Sequence, residues 1–292
     1  MKLAILLLIL MLPTILMAQS KDPVKSKPIK SKPKGVLLED LTWVEAEKLL
    51  NEKSIVVIPV GAASKEHGPH LKLKNDLIIA EYLKNRVLAE ANVIIAPTVN
   101  YNFYPAFLEY PGSTSLRLET ARDLIVDICH NFSAHGVRRF YVINTGVSTR
   151  KPLKLASDLL TAEGILFEYT DIIKIAEAVE KQIKKQPGGT HADEIETSIM
   201  LYIAPESVDM SKAVKDYHPD KGPLTRNPNN PQGTYSATGI WGDPTLATKE
   251  KGEKVVEAIV SGILQDIAEL SNKPFPKIHA NEQPTEEKKE EK

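Results

Sequence analysis

The sequence predicts an α/β fold: a three-layer α/β/α sandwich with a mainly parallel central sheet. Three observations predict it. Short runs of chain are apolar at every position, the pattern of strands buried on both faces. Stretches with helical periodicity separate these runs, as crossovers between parallel strands require. Right-handed crossovers then distribute the helices over both faces of the sheet.

In chain order, residues 54–60 (SIVVIPV) read as the first strand. Asp76 to Glu90 reads as a helix with Leu77, Ala80, Leu83 and Val87 on one side. Residues 93–97 (VIIAP) are a second strand. Glu119 to His135 is a helix ended by Gly136, and residues 139–144 (RFYVIN) are a third strand. Lys151 to Ala162 is helical, Gly164 closes it, and residues 165–169 (ILFEY) are a fourth strand. Two further helices are expected at about 193–204 and 248–271. Internal repeats are absent.

The two ends of the chain are expected to lie outside this domain, placed at 37–275. Residues 1–18 combine Lys2, an apolar run from Leu3 to Met17 and the small residue Ala18, the three-part layout of a secretory signal peptide. The rival reading is a retained N-terminal anchor, although the run is shorter than the ~20 residues a spanning helix needs. The expected location is therefore exported, periplasmic or secreted, with no transmembrane segment in the mature chain. Residues 19–36 read as a flexible basic linker, and 276–292 as a charged tail. Cys129 is the single cysteine, which excludes an intrachain disulfide and a thiolate zinc site. It lies in an apolar stretch and reads as a small buried hydrophobe. A formal net charge of −1 gives no reason to expect nucleic acid as a partner.

In folds of this class ligands bind beyond the carboxyl ends of the strands. The segment after the first strand is the richest in chemistry. Residues 61–76 hold Glu66, His67, His70 and Asp76, with Gly68-Pro69 forcing a turn between the histidines. Imidazoles and carboxylates together suit zinc, manganese or iron. Asp76 reads either as a helix N-cap or as a carboxylate bridging two metals. A second cluster, His191, Asp193, Glu194 and Glu196, enters a helix behind Gly188-Gly189. There Asp193 shares a helical face with Thr197, and His191 with Glu194 and Ser198. Acidic residues at that position also complement a helix dipole. Tyr101, Phe103, Tyr104, Phe107 and Tyr110 crowd another strand-end loop, and suit a substrate pocket and a subunit interface equally. Asn144 and Ser148-Thr149 read as substrate-orienting groups or as caps of the next helix. Trp241 and Asp243 read as packing and turn residues.

Several of these segments, in this order, resemble the creatininase (creatinine amidohydrolase) family. The resemblance is carried by Pro59-Val60-Gly61 with Glu66-His67-Gly68-Pro69-His70-Leu71 and Asp76, and by residues 110–116 (YPGSTSL). It continues through His135-Gly136-Val137-Arg138-Arg139, residues 191–198 (HADEIETS) and residues 239–244 (GIWGDP). It spans about residues 37–270. It implies a metal-dependent hydrolase of amide C–N bonds in a small cyclic or linear amide, with one or two divalent ions per chain, zinc or manganese foremost. Metal-activated water would attack the carbonyl carbon. His67, Asp76 and Glu196 match metal ligands, with Asp76 the bridging one, and His191 matches a proton shuttle. Glu66 is a further candidate, as ligand or as acid. Asn144, Ser148, Tyr104 and Asp193 are the candidates for binding substrate. The family resemblance also suggests a homo-oligomer.

Two positions depart from the family pattern. Lys65 stands where its Glu-x-His has glutamate, and Gly146 stands where a metal-binding histidine follows the central strand. Either His70 substitutes for it or only one metal binds. The loss also supports an alternative reading, a non-catalytic periplasmic protein that binds a small molecule on the same fold.

Overall fold

The computed structural model describes residues 32–218 and 222–278. The expected signal peptide, most of the linker and most of the tail lie outside the described residues. Val36, at the end of the expected linker, already belongs to the first strand.

The elements in order are β1 (Val36–Leu37), α1 (Trp43–Leu49), β2 (Ile55–Val60), α2 (Asn75–Glu90), β3 (Ile94–Ile95) and α3 (Leu118–Ser133). There follow β4 (Arg139–Asn144), α4 (Arg150–Ala162), β5 (Leu166–Tyr169), α5 (Glu177–Ile183) and α6 (Glu194–Ile203). The short strands β6 (Leu224–Thr225) and β7 (Thr234–Tyr235) precede the long α7 (Lys249–Asn272). β1 to β5 form one sheet in the order β1-β3-β2-β4-β5, and every pairing is parallel. The predicted α/β/α sandwich is thus the observed architecture.

Alternation along the strands divides the core in two. Ile55 and Val57 of β2 and Tyr141 and Ile143 of β4 face α2, α6 and α7. Val56, Ile58, Val60, Phe140 and Val142 face the opposite way, onto α3 and α4. Both sets are buried, which is why the strands read as continuous apolar runs. Cys129 belongs to the second set, fully buried, and burial pushes its thiol pKa up. It is a packing residue, as expected.

Five elements are absent from the sequence reading: β1, α1, α5, β6 and β7. α1 opens with a capping box, in which Thr42 and Glu45 satisfy each other's backbone N–H groups; Thr-x-x-Glu is visible in the sequence. β1 and α5 are too short for periodicity to register. The second expected strand shrinks to Ile94–Ile95 because Pro97 lacks a donor, although Val99 still bridges Val60. β2 lies at the middle of the sheet, with the chain moving to β3 on one side and crossing back to β4 on the other. The loops beyond β2 and β4 therefore open at a topological switch point.

Candidate metal centre

The loop after β2 is fixed by backbone bonds before any ligand enters. Lys65 N–H donates to Leu73 O at 3.1 Å, Leu77 N–H to Ala62 O at 3.1 Å, and Glu66 N–H to the Ser113 hydroxyl at 2.9 Å. Asp76 then falls in the first turn of α2, with its carboxylate directed inward rather than capping. The second wall is the start of α6. Asp193 caps it, accepting from the N–H groups of Ile195 (2.9 Å) and Glu196 (3.0 Å). Just before it, Ala192 has φ of 49°, and it is the one left-handed non-glycine among the described residues. Such strain is held only where surrounding contacts enforce it. Here Ala192 N–H donates to Glu196 at 2.7 Å, while His191 pairs with Trp241 through the backbone.

These two walls bring residues about 120 positions apart into one buried cluster. His67 Nε2 lies 2.8 Å from Asp76 Oδ1 and 3.4 Å from Glu196 Oε1. Its Nδ1 bonds the Lys65 carbonyl at 2.8 Å, which fixes the ring. His191 Nε2 is 3.1 Å from Glu66 Oε2, and its Nδ1 is 3.8 Å from Glu196 Oε2. Asn75 donates to Glu196 at 3.0 Å. Lys65 Nζ is 2.7 Å from Asp76 Oδ2, with the rings of Tyr104 and Phe107 at 5.5 and 5.1 Å. Among the described residues, His67, His191 and Glu196 form the group whose donor atoms all lie within 4.8 Å of one another.

The electrostatics follow from burial against neighbours. Burial pushes Asp76 up, but the Lys65 ammonium and His67 outweigh it and hold the carboxyl far below its ordinary range. Glu196 is likewise raised by burial, yet lowered overall by His67, His191 and Lys65. For His191 burial is the largest single influence and favours the neutral ring, but the Glu66 and Glu196 carboxylates together outweigh it and raise its pKa. His70 is the opposite case, since burial dominates and lowers it to about 4.

The residues present fit a divalent ion. Two imidazoles and a carboxylate converge, with Asp76 touching His67, and that donor mix suits zinc or manganese. Asp76 Oδ2 touches Lys65 Nζ but accepts no well-aligned hydrogen bond, and His70 Nδ1 is buried without a partner.

The other sequence candidates separate. Glu66 reaches the cluster through His191 and through Gly68 N–H rather than as one of the converging donors. His70 is turned away, with Nε2 on the Thr197 hydroxyl at 2.8 Å. Asn144 is fully buried, and its amide is consumed by Gly146, Thr149 and Thr170, so it braces the turn after β4 instead of meeting substrate. Asp193 is occupied by its capping bonds and by Gln186 at 2.6 Å. Tyr104 is buried beside Lys65, and with Phe107, Tyr110, Ala62 and Leu224 it makes a small satellite core. Ser148 lies at the rim of a cavity of about 510 Å³ that opens onto His191 and Glu196. Phe107, Ile172, Ile195 and Trp241 also line that cavity. Trp241, read from sequence as packing, is thus a wall of the site. Its pairing with His191 has no local sequence signal.

Comparison with known proteins places this arrangement. The family profile for creatininase (creatinine amidohydrolase) matches residues 39–267. The chain is 26% identical over 255 residues to the creatinine amidohydrolase of Pseudomonas putida, covering 81% of this chain and 97% of the relative. It is 28% identical over 215 residues to the mycofactocin precursor peptide peptidase of Mycolicibacterium smegmatis, covering 71% and 82%. A solved creatininase mutant of Zn-Zn type superposes with a TM-score of 0.67 at 26% identity, covering 83% of this chain and all of the other. The profile match spans most of the sequence, and the buried His/carboxylate cluster lies inside it: the chain belongs to the creatininase family.

Proposed function

We propose that this creatininase-family chain is a metal-dependent amidohydrolase that cleaves a C–N bond in a small cyclic or linear amide. The observation that carries the reading is the convergence of His67, His191 and Glu196 within 4.8 Å, with His191 and Glu196 lining the cavity. His67, Asp76 and Glu196 would hold the ion, which when bound supplies Lewis-acid activation of water near neutral pH. His191 keeps a proton at Nε2 against Glu66 and lines the cavity, so it can hand a proton to the departing nitrogen. Lys65, also in the cavity wall, presents a fixed positive charge to the carbonyl oxygen as it gains negative charge. Phe107, Ile172, Ile195 and Trp241 form an apolar wall that receives the rest of the substrate and excludes water. At about 510 Å³ the cavity has room for more than a single small ring, so the screen includes creatinine, lactams and short peptides. The peptidase relative makes the last class a necessary control. The proposal extends to an exported, homo-oligomeric protein.

The test is turnover of that panel by the zinc- or manganese-loaded protein, beside His191→Gln. Turnover is expected, with a loss of roughly 10²- to 10⁴-fold in the variant, the usual contribution of a general acid–base group. Gly146, in place of the family's histidine, favours a second reading in which the cavity binds a small molecule without hydrolysing it. Saturable binding with no turnover by any metal-loaded form would select that reading.

A further inference from the structure

Lys65 is buried, with about 5% of its surface exposed, and a buried ammonium is costly unless it is paired. Its pairing is specific. Nζ lies 2.7 Å from Asp76 Oδ2, the oxygen that does not face His67. Asp76 therefore shows one oxygen to His67 and the other to an internal cation. A carboxylate placed to bridge two cations bridges an ammonium and the His67 side of the cluster instead.

Charge gives an independent argument. The carboxylates that touch this cluster are Glu66, Asp76 and Glu196, three negative charges. The neighbouring Glu194 is paired with Lys251, and Asp193 faces Gln186 and backbone N–H groups. With Lys65 charged and the imidazoles neutral, the cluster sums to −2, which one divalent ion cancels; a proton on His191 leaves still less negative charge for a second ion to meet. A second ion would leave an excess of +2 in a buried site and would sit against the ammonium, where like charges repel strongly. The group of converging donors is likewise a single one among the described residues.

We propose that the Lys65 ammonium stands in for a second metal ion, so that this chain is a one-ion member of its family, with the ion on the His67–Glu196 side of Asp76. The inference rests on the hydrolase reading only in taking the cluster to be a metal site. The packing of Lys65 between the Tyr104 and Phe107 rings holds the ammonium in place where a metal would need donor atoms that those rings lack.

The test is titration of the metal-free protein with Zn²⁺ alone, read by calorimetry and by elemental analysis after dialysis, for wild type, Lys65→Met and Lys65→Arg. Wild type is expected to take one ion per chain. Lys65→Met removes a repelling charge and should bind its first ion roughly tenfold or more tightly, whereas Lys65→Arg should stay near wild type. A lysine with a merely structural role would give the opposite sign, weaker binding in Lys65→Met through a loosened site. Two tight ions in wild type, or weaker or unchanged binding in Lys65→Met, would overturn the proposal and leave the hydrolase reading standing. No ion in wild type would overturn both. Should Lys65→Met fail to fold without metal, the wild-type stoichiometry decides.

Discussion

At the scale of single residues, Asp76 is held from two directions, by Lys65 on one oxygen and His67 on the other. Asp76→Asn keeps the shape and removes the charge, leaving the buried Lys65 ammonium unpaired. A loss of about 3–5 kcal/mol is expected, the typical result of breaking a buried pair from one side. Denaturant unfolding of the metal-free protein measures it, and a change below about 1 kcal/mol would mean that Lys65 finds another partner. Glu66 is positioned as tightly by a residue with no side chain. Gly239 has φ of +79°, and a Cβ there would overlap the Glu66 carboxylate. Gly239→Ala should therefore displace Glu66 from His191. The expected outcome is a fall in kcat well beyond the fall in folded fraction, checked by kinetics beside circular dichroism. Both residues show the limit of local reading. Glutamate and histidine near a strand end announce a site in the sequence, whereas Lys65 registers there only as a departure from the family pattern, and its burial against Asp76 is seen only in the structure.

At the scale of elements, the site depends on where α6 begins and how closely it lies against α7. The start is written locally: Gly188-Gly189, a strained Ala192 and the Asp193 cap set His191 and Glu196 on the cavity side. The close approach is set by Gly252, where a Cβ would collide with the Ser198 carbonyl on α6. Gly252→Ala must push the two helices apart. It should destabilise the chain by about 1–3 kcal/mol despite the better helix propensity of alanine. A thermal melt checks the sign, and a gain in stability would show that α7 can slide without cost. The helices α2, α3, α4, α6 and α7 were legible because each carries an apolar stripe facing the sheet. α1 and α5 span seven residues each, too few for a period to emerge.

At the scale of the whole molecule, the sheet is scaffold and the β2 and β4 ends are the working edge. The proposed centre joins the loop after β2 to α6, two segments that also meet through His70 on Thr197 and Asn75 on Glu196. A bound ion should therefore stabilise the entire fold. Free Zn²⁺ at a hundredfold excess over its Kd is expected to add about 2.7 kcal/mol, reversed by a chelator. Differential scanning calorimetry with and without chelator measures this, and an unchanged Tm would argue against a metal held between the two segments. The sequence by itself determined the α/β class, the buried strands and the two clusters of chemistry-bearing residues. Burial on both faces and proximity to a strand end leave marks within a few positions of the residue concerned. Only the tertiary structure decided which of those residues meet. His67 and Glu196 converge, His70 turns to Thr197, Asn144 closes on its own turn, and Lys65 comes to rest against Asp76. The first two of those outcomes depend on how a loop and a helix start more than a hundred residues apart pack together. Pairing at that distance is set by shape and charge in three dimensions, for which a linear pattern carries no period.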